Sequence, residues 1–183
     1  MKTPIALVAT ALLPIALAGC VGPSSALPPN TPAATATKST EQNGKFIALV
    51  GPRRAHGEPF LGVPDTNFDA LRSWIDTRTG ETVHQLYVED SYFGAERNWE
   101  AARIQAGESL RFIPISKNKI TCDNGCSYAE EFAATLPEAL LRASTRGLAI
   151  SFTAHSGAEQ TILVPGELIL EQLAAVDAAR AGP

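Results

Sequence analysis

The chain has 183 residues, 45% of them hydrophobic, with 15 Lys and Arg against 19 Asp and Glu and a net charge of −4. That length suits one domain with a modest extension. The acid excess, with no basic stripe, argues against nucleic acid and against an anionic membrane surface as electrostatic partners.

At the start of the chain, Lys2 precedes an apolar run, Ile5 to Leu17, that closes on small residues. The run is shorter than the ~20 apolar residues needed to span a bilayer. A positive residue, an apolar stretch and small residues before a cut make a secretory signal, set aside from fold reasoning. Leu17-Ala18-Gly19-Cys20 resembles the lipobox of bacterial lipoproteins, and the resemblance covers residues 1–20 only. It implies that residues 1–19 are a signal peptide removed by signal peptidase II. It implies that Cys20 carries diacylglycerol on its sulfur and an acyl chain on its freed amine. Two or three acyl chains at ~0.8 kcal/mol per buried CH₂ hold a protein stably on a membrane. The implied place is the bacterial cell envelope. Val21 rather than Asp follows the cysteine, which in a Gram-negative source favours the outer membrane, facing the periplasm.

From Cys20 to Gly44 the chain is rich in Pro, Ser, Thr, Ala and Asn and nearly free of large apolar residues. Such a stretch buries too little surface to offset its ordering entropy, so a disordered tether is expected there. As a flexible coil it would reach about 25–30 Å. Residues 45–183 are then expected to form a single globular domain.

Within that domain, Phe46–Val50, stopped by Gly51-Pro52, reads as a buried strand. Arg53–Asn67, with two Gly and two Pro, reads as a loop. Phe68–Asp76 and the alternating Thr82–Asp90 flank a Gly80 turn and predict a hairpin. Trp99–Ile104 with Ser109–Ser116 suggests a second hairpin, and Ile120–Cys122 with Cys126–Leu136 a third. Pro137–Ser144 before Gly147 predicts a short helix. Leu148–Thr153 and Gln160–Val164 predict another hairpin. Pro165-Gly166 opens a final helix to about Arg180, with Ile169, Leu173 and Val176 on one face and Leu170 beside them. The class expected is α+β: an antiparallel sheet of several hairpins with a short helix and a C-terminal helix packed on one side. The alternative is a β-sandwich with a capping helix.

With Cys20 consumed by lipid, Cys122 and Cys126 remain as a pair across a three-residue turn, in an envelope that favours disulfides. A redox pair would show C-x-x-C spacing and a zinc site would need two further ligands, so neither a metal nor a cofactor is expected. Glu89, Asp90 and Glu96 surround Ser91-Tyr92-Phe93-Gly94-Ala95 without the regular spacing of a calcium loop. Tyr92 and Phe93 in that loop are the candidate binding anchors. His84 reads as a packed strand residue. His155-Ser156 lie side by side in a turn and point apart. Glu130 and Glu131 are strand neighbours on opposite faces, one of them expected to meet a base such as Arg111. No G-x-S-x-G, H-E-x-x-H or P-loop is present. The expected function is a binding or assembly module, anchored to the membrane through Cys20 and meeting an envelope protein partner. The alternative is an enzyme acting on an envelope polymer, for which His84 would have to converge with Glu89, Asp90 or Arg97.

Overall fold

The hairpin predicted from Phe68–Asp76 and the alternating run after it forms, and it is the centre of the larger of two sheets. The computed structural model describes residues 36–41, 44–123 and 125–182. The signal segment, Cys20 and the first part of the expected tether lie outside the described residues. The strands are β1 (Thr37–Glu41), β2 (Phe46–Val50), β3 (Arg54–Ala55), β4 (Phe68–Asp76), β5 (Thr82–Phe93) and β6 (Trp99–Ile104). They continue with β7 (Ser109–Leu110), β8 (Phe112–Thr121), β9 (Ser127–Leu136), β10 (Gly147–Ala154) and β11 (Glu159–Pro165). Among the described residues there are two α-helices, α1 (Glu138–Ala143) and α2 (Gly166–Ala181). The first sheet runs β1-β2-β4-β5-β9-β8, with β3 on β4, and the second runs β11-β10-β6-β7. Their strand pairings are antiparallel. The class is α+β.

One apolar cluster contains Leu71, Leu86, Val88, Phe132 and Leu136 from the first sheet and Trp99, Ile150, Phe152, Ile162 and Val164 from the second. Leu141 of α1 and Ile169 and Leu173 of α2 join it. Phe132 is at its aromatic centre, with ring centroids 5.3 Å from Trp99, 5.7 Å from Phe112 and 4.9 Å from Phe152. The helices therefore share one face of the first sheet with the second sheet. On α2 the buried positions include Ile169, Leu173, Val176 and also Gln172, whereas Leu170 is exposed. Gly166 opens the helix where a Cβ would collide with the Thr145 carbonyl oxygen, so the α1–β10 connection and the start of α2 meet backbone to backbone. At the tip of the β4–β5 hairpin, Gly80 sits at φ +74°, a conformation that favours glycine. The Asp76 carboxyl accepts the Arg78 and Thr79 amides there, at 2.9 and 3.0 Å.

Three boundaries differ from expectation. Thr37–Glu41, expected in the tether, pairs in register with Val50–Phe46. Without it β2 would be a bare edge, and backbone pairing satisfies that edge without requiring large side chains. The segment Ser109–Ser116 divides: β7 pairs with β6 in the second sheet, and β8 runs on through Lys119 to Thr121 against β9 in the first. Finally, β5 continues to Phe93 rather than ending at Asp90. The Cys122–Cys126 disulfide closes the β8–β9 hairpin across a sequence separation of 4. A loop that small contributes about 2 kcal/mol, enough to stiffen a hairpin end.

The other face of the first sheet carries a cation–aromatic ladder. The Arg53 guanidinium lies 4.6 Å from the Phe68 centroid, Phe68 lies 5.7 Å from Tyr87, and Arg72 lies 4.5 Å from Tyr87 and 4.8 Å from Trp74. Stacked guanidinium planes cover ring faces while staying hydrated at their rims.

Candidate functional site

Because β5 runs to Phe93, strand parity turns Asp90 and Tyr92 toward the core and Glu89, Ser91 and Phe93 the other way. Tyr92 is thus no surface anchor: it is 5% exposed. Asp90 stands directly across from Glu130 of β9, and like carboxyls placed so would repel. The returning segment Arg97–Trp99 satisfies both. The Arg97 guanidinium donates to the two Asp90 oxygens at 2.9 and 2.7 Å, and the Trp99 indole N–H donates at 2.8 Å. Glu130 accepts the Asn98 amide at 3.0 Å, the Trp99 amide at 3.2 Å and the Tyr92 hydroxyl. Tyr92 in turn accepts the Arg97 amide at 2.8 Å. Burial pushes the Tyr92 phenol above its ordinary range, which keeps it a donor. Glu130 therefore meets amides and a phenol, not Arg111, because the 97–99 segment reaches it first. Both carboxyl groups have their oxygens engaged as structural acceptors, so this close pair is a clip and not an acid–base couple.

The expected acidic loop around Tyr92 is a strand end, and its acid Glu89 has a structural task. Its carboxyl accepts the Asn67 amide and the Ser91 hydroxyl. Asn67 adds two bonds of its own, accepting the Ser91 amide at 2.7 Å and donating to the Glu58 carbonyl at 2.9 Å. This pins the loop between β3 and β4. In it Leu61, Asp65 and Asn67 all have positive φ, at 53°, 59° and 54°. A branched residue such as Leu61 held there costs on the order of 1 kcal/mol, and such strain persists only where the surroundings enforce it. Thr66 helps to enforce it, accepting the Phe60 amide at 2.7 Å and donating to the Val63 carbonyl at 2.8 Å. The constrained loop presents Leu61 at 67% and Val63 at 53% exposure, and the Phe60 ring packs tilted against Phe93, itself 58% exposed, with centroids 4.7 Å apart. The sequence pointed to Tyr92 and Phe93, and of these only Phe93 belongs to this exposed patch. Leu61 and Val63 lay in a segment whose Gly and Pro content marked only a loop.

The histidines divide. His84 is buried and does not reach Glu89, Asp90 or Arg97: Asp90 lies six positions further along β5, about 20 Å away. It sits instead in a relay that has the composition of a hydrolytic triad. Ser73 Oγ is 2.9 Å from His84 Nδ1, and His84 Nε2 is 3.5 Å from Glu138 Oε2. Ser73 is fully buried and its oxygen already accepts the Gln172 amide at 2.8 Å, while Gln172 also donates to the Leu49 carbonyl at 3.1 Å. The hydroxyl proton must then go to Nδ1, leaving Nε2–H to donate to Glu138. No substrate reaches this serine, and the relay ties α2 and α1 to the sheet. Glu138 is drawn down to about 2, chiefly by Arg180 and also by Arg142. Burial lowers His84 against the opposing pull of Glu138. A histidine depressed when folded contributes fully above its ordinary 6.5 and loses that contribution as pH falls from there toward its folded value. Urea melts of wild type and His84→Gln across pH should therefore show a constant stability difference above 6.5 and a shrinking wild-type advantage below it. A difference independent of pH would contradict the assignment. His155 is exposed, 3.4 Å from Glu100, and Ser156 Oγ accepts the Ala158 amide at 3.4 Å, so the pair does not act together.

Beside Trp99 lies an open cleft of about 270 Å³, with His56, Asn67, Asp90, Arg97, Glu159 and Gln160 among its walls. Among the described residues, no cluster of three His, Cys, Asp or Glu side chains is placed to hold a metal ion. No protein-family model, curated protein or solved structure matches the chain.

Proposed function

We propose that the chain is a lipid-anchored protein of the bacterial cell envelope, held at the outer membrane through Cys20 and facing the periplasm, whose domain is a binding or assembly module for an envelope protein. The anchor half rests on Leu17-Ala18-Gly19-Cys20 and on the pairing of Cys122 with Cys126, which leaves Cys20 as the unpaired cysteine. The binding half rests on one observation: Leu61 and Val63 stand exposed on a loop locked by side-chain hydrogen bonds, beside the exposed Phe93 at the end of β5, which packs against the half-buried Phe60. Apolar anchors fixed before binding lose little entropy when a partner closes over them. The partner such a patch fits is a protein with a shallow apolar pocket.

Labelling with radioactive palmitate tests the anchor. Wild type should incorporate the label, and Cys20→Ala should accumulate as an unlabelled precursor that retains residues 1–19. A variant processed and membrane-bound like wild type would overturn this half. Crosslinking of the full chain in cells followed by mass spectrometry tests the other half: repeated capture of one envelope complex is expected. Capture of nothing, together with turnover of an envelope polymer, would replace the binding reading with the enzymatic one.

A further inference from the structure

β11 is an outer strand of the second sheet, and its free edge lacks the protection the other edges have. Bare N–H and C=O groups on an edge are a template for another strand, and proteins blunt such edges with charge, proline, bulges or brevity. Among the described residues, β7 has only two residues, β1 has five with Lys38 among them, and β8 carries Pro114, Lys117, Lys119 and two shifts of register. β11 runs for seven residues in unbroken register with β10, and its proline, Pro165, stands at the very end. Its one charge, Glu159, is drawn across its own sheet to Arg103, at 2.9 Å. An open cleft separates Glu159 and Gln160 from His56 and Gly57, so the loop between β3 and β4 does not close this edge.

The turn between β10 and β11 fixes which groups face outward. The Ala154 amide donates to the Ala158 carbonyl at 2.9 Å, which makes these two a bonded pair. Bonded and non-bonded pairs alternate along an antiparallel ladder. Gln160, Ile162 and Val164 therefore bond to β10, and Glu159, Thr161 and Leu163 turn their backbone groups away from it. These three are also the exposed positions of the strand, with Leu163 at 62%.

That set is symmetric about Thr161. A second β11 laid antiparallel on a twofold axis there sets Thr161 against its copy and Glu159 against Leu163 of the copy. The three facing pairs exchange about six backbone hydrogen bonds. No like charges oppose, each Leu163 gains cover, and Thr–Thr pairs across strands are favourable. An axis at Ile162 would instead set Glu159 against Pro165, whose missing N–H leaves a carbonyl unpaired.

We propose that two copies of the chain pair through β11, joining their four-stranded sheets into one. A single strand edge buries less than the ~1,200 Å² of a stable interface, so this dimer is transient. It depends neither on the lipid anchor nor on the Leu61–Phe93 patch. The test uses the purified full chain carrying Cys20→Ala, which leaves no free thiol beside the Cys122–Cys126 pair. A short bismaleimide should join Thr161→Cys to its copy. It should also join a mixture of Glu159→Cys and Leu163→Cys but neither alone, because like positions then lie roughly 14 Å apart. Adding Leu163→Glu to Thr161→Cys sets carboxylate against carboxylate in both copies and should cut the product about fivefold, whereas Leu163→Lys should keep it. Position 163 is solvent-exposed, so the fold stands in both variants. No dimer of Thr161→Cys, an equal yield from Leu163→Cys alone, or equal losses with Glu and Lys would overturn the proposal. So would joining of Thr161→Cys to a different protein in cells and not to its copy, which would give the edge to another occupant.

Discussion

Replacing Phe132 with Ala should lower the stability of the domain by about 3–5 kcal/mol, the range for deleting a buried ring. Phe132 is 1% exposed and touches Trp99, Phe112 and Phe152, so three rings from both sheets lose their common neighbour. At about 2–4 °C per kcal/mol for a chain of this size, the melting midpoint should fall by on the order of 10 °C. Urea denaturation followed by tryptophan fluorescence measures it. Leu170→Ala on the exposed face of α2 is the control and should stay within about 0.5 kcal/mol. A Phe132→Ala cost near that of the control would mean that the two sheets do not share a core.

Replacing Glu130 with Ala should cost about 3 kcal/mol. The change leaves the Asn98 and Trp99 amides and the Tyr92 hydroxyl facing a buried space without an acceptor. Each stranded donor costs roughly 1–3 kcal/mol, though the three will not add in full because the segment can relax toward water. Tyr92→Phe should cost less, about 1 kcal/mol, because Glu130 keeps both amides and only the Arg97 amide loses its acceptor. Hydrogen exchange locates the effect: in Glu130→Ala the Asn98 and Trp99 amides should exchange much faster, and those of β10 little changed. A Glu130→Ala variant within 1 kcal/mol of wild type would mean that the clip carries no structural weight.

What the sequence shows of this protein follows the range of the interactions involved. The β4–β5 hairpin was legible because Thr82–Asp90 alternates and Gly80 marks its turn, both local signals. The last helix was legible from Pro165-Gly166 and the spacing of Ile169, Leu173 and Val176. The end of β5 was not. Glu89-Asp90-Ser91 looks like a solvated loop until residues from 67 and from 97–99 arrive to bond the acids, and no local pattern announces partners that distant. Thr37–Glu41 was misread for a related reason: its pairing uses backbone groups, which composition does not record. The division of β7 from β8 depends on which sheet each strand joins, a tertiary choice. The same limit applies to the sites. Phe93 was visible as an aromatic near a turn. His56, Trp99 and Gln160 come from three separate segments and line one cleft only in the fold, and the loop that strains Leu61 is held by bonds to Thr66 and Asn67.

The most direct test of an anchored module that docks through its locked loop is a photoreactive amino acid placed at Leu61 of the full chain in living cells. One discrete protein adduct should form, and it should vanish when Cys20 is also changed to Ala and when the probe stands instead at Leu163, an exposed residue of β11. No adduct at Leu61, or the same adducts from Leu163 and without Cys20, would contradict it.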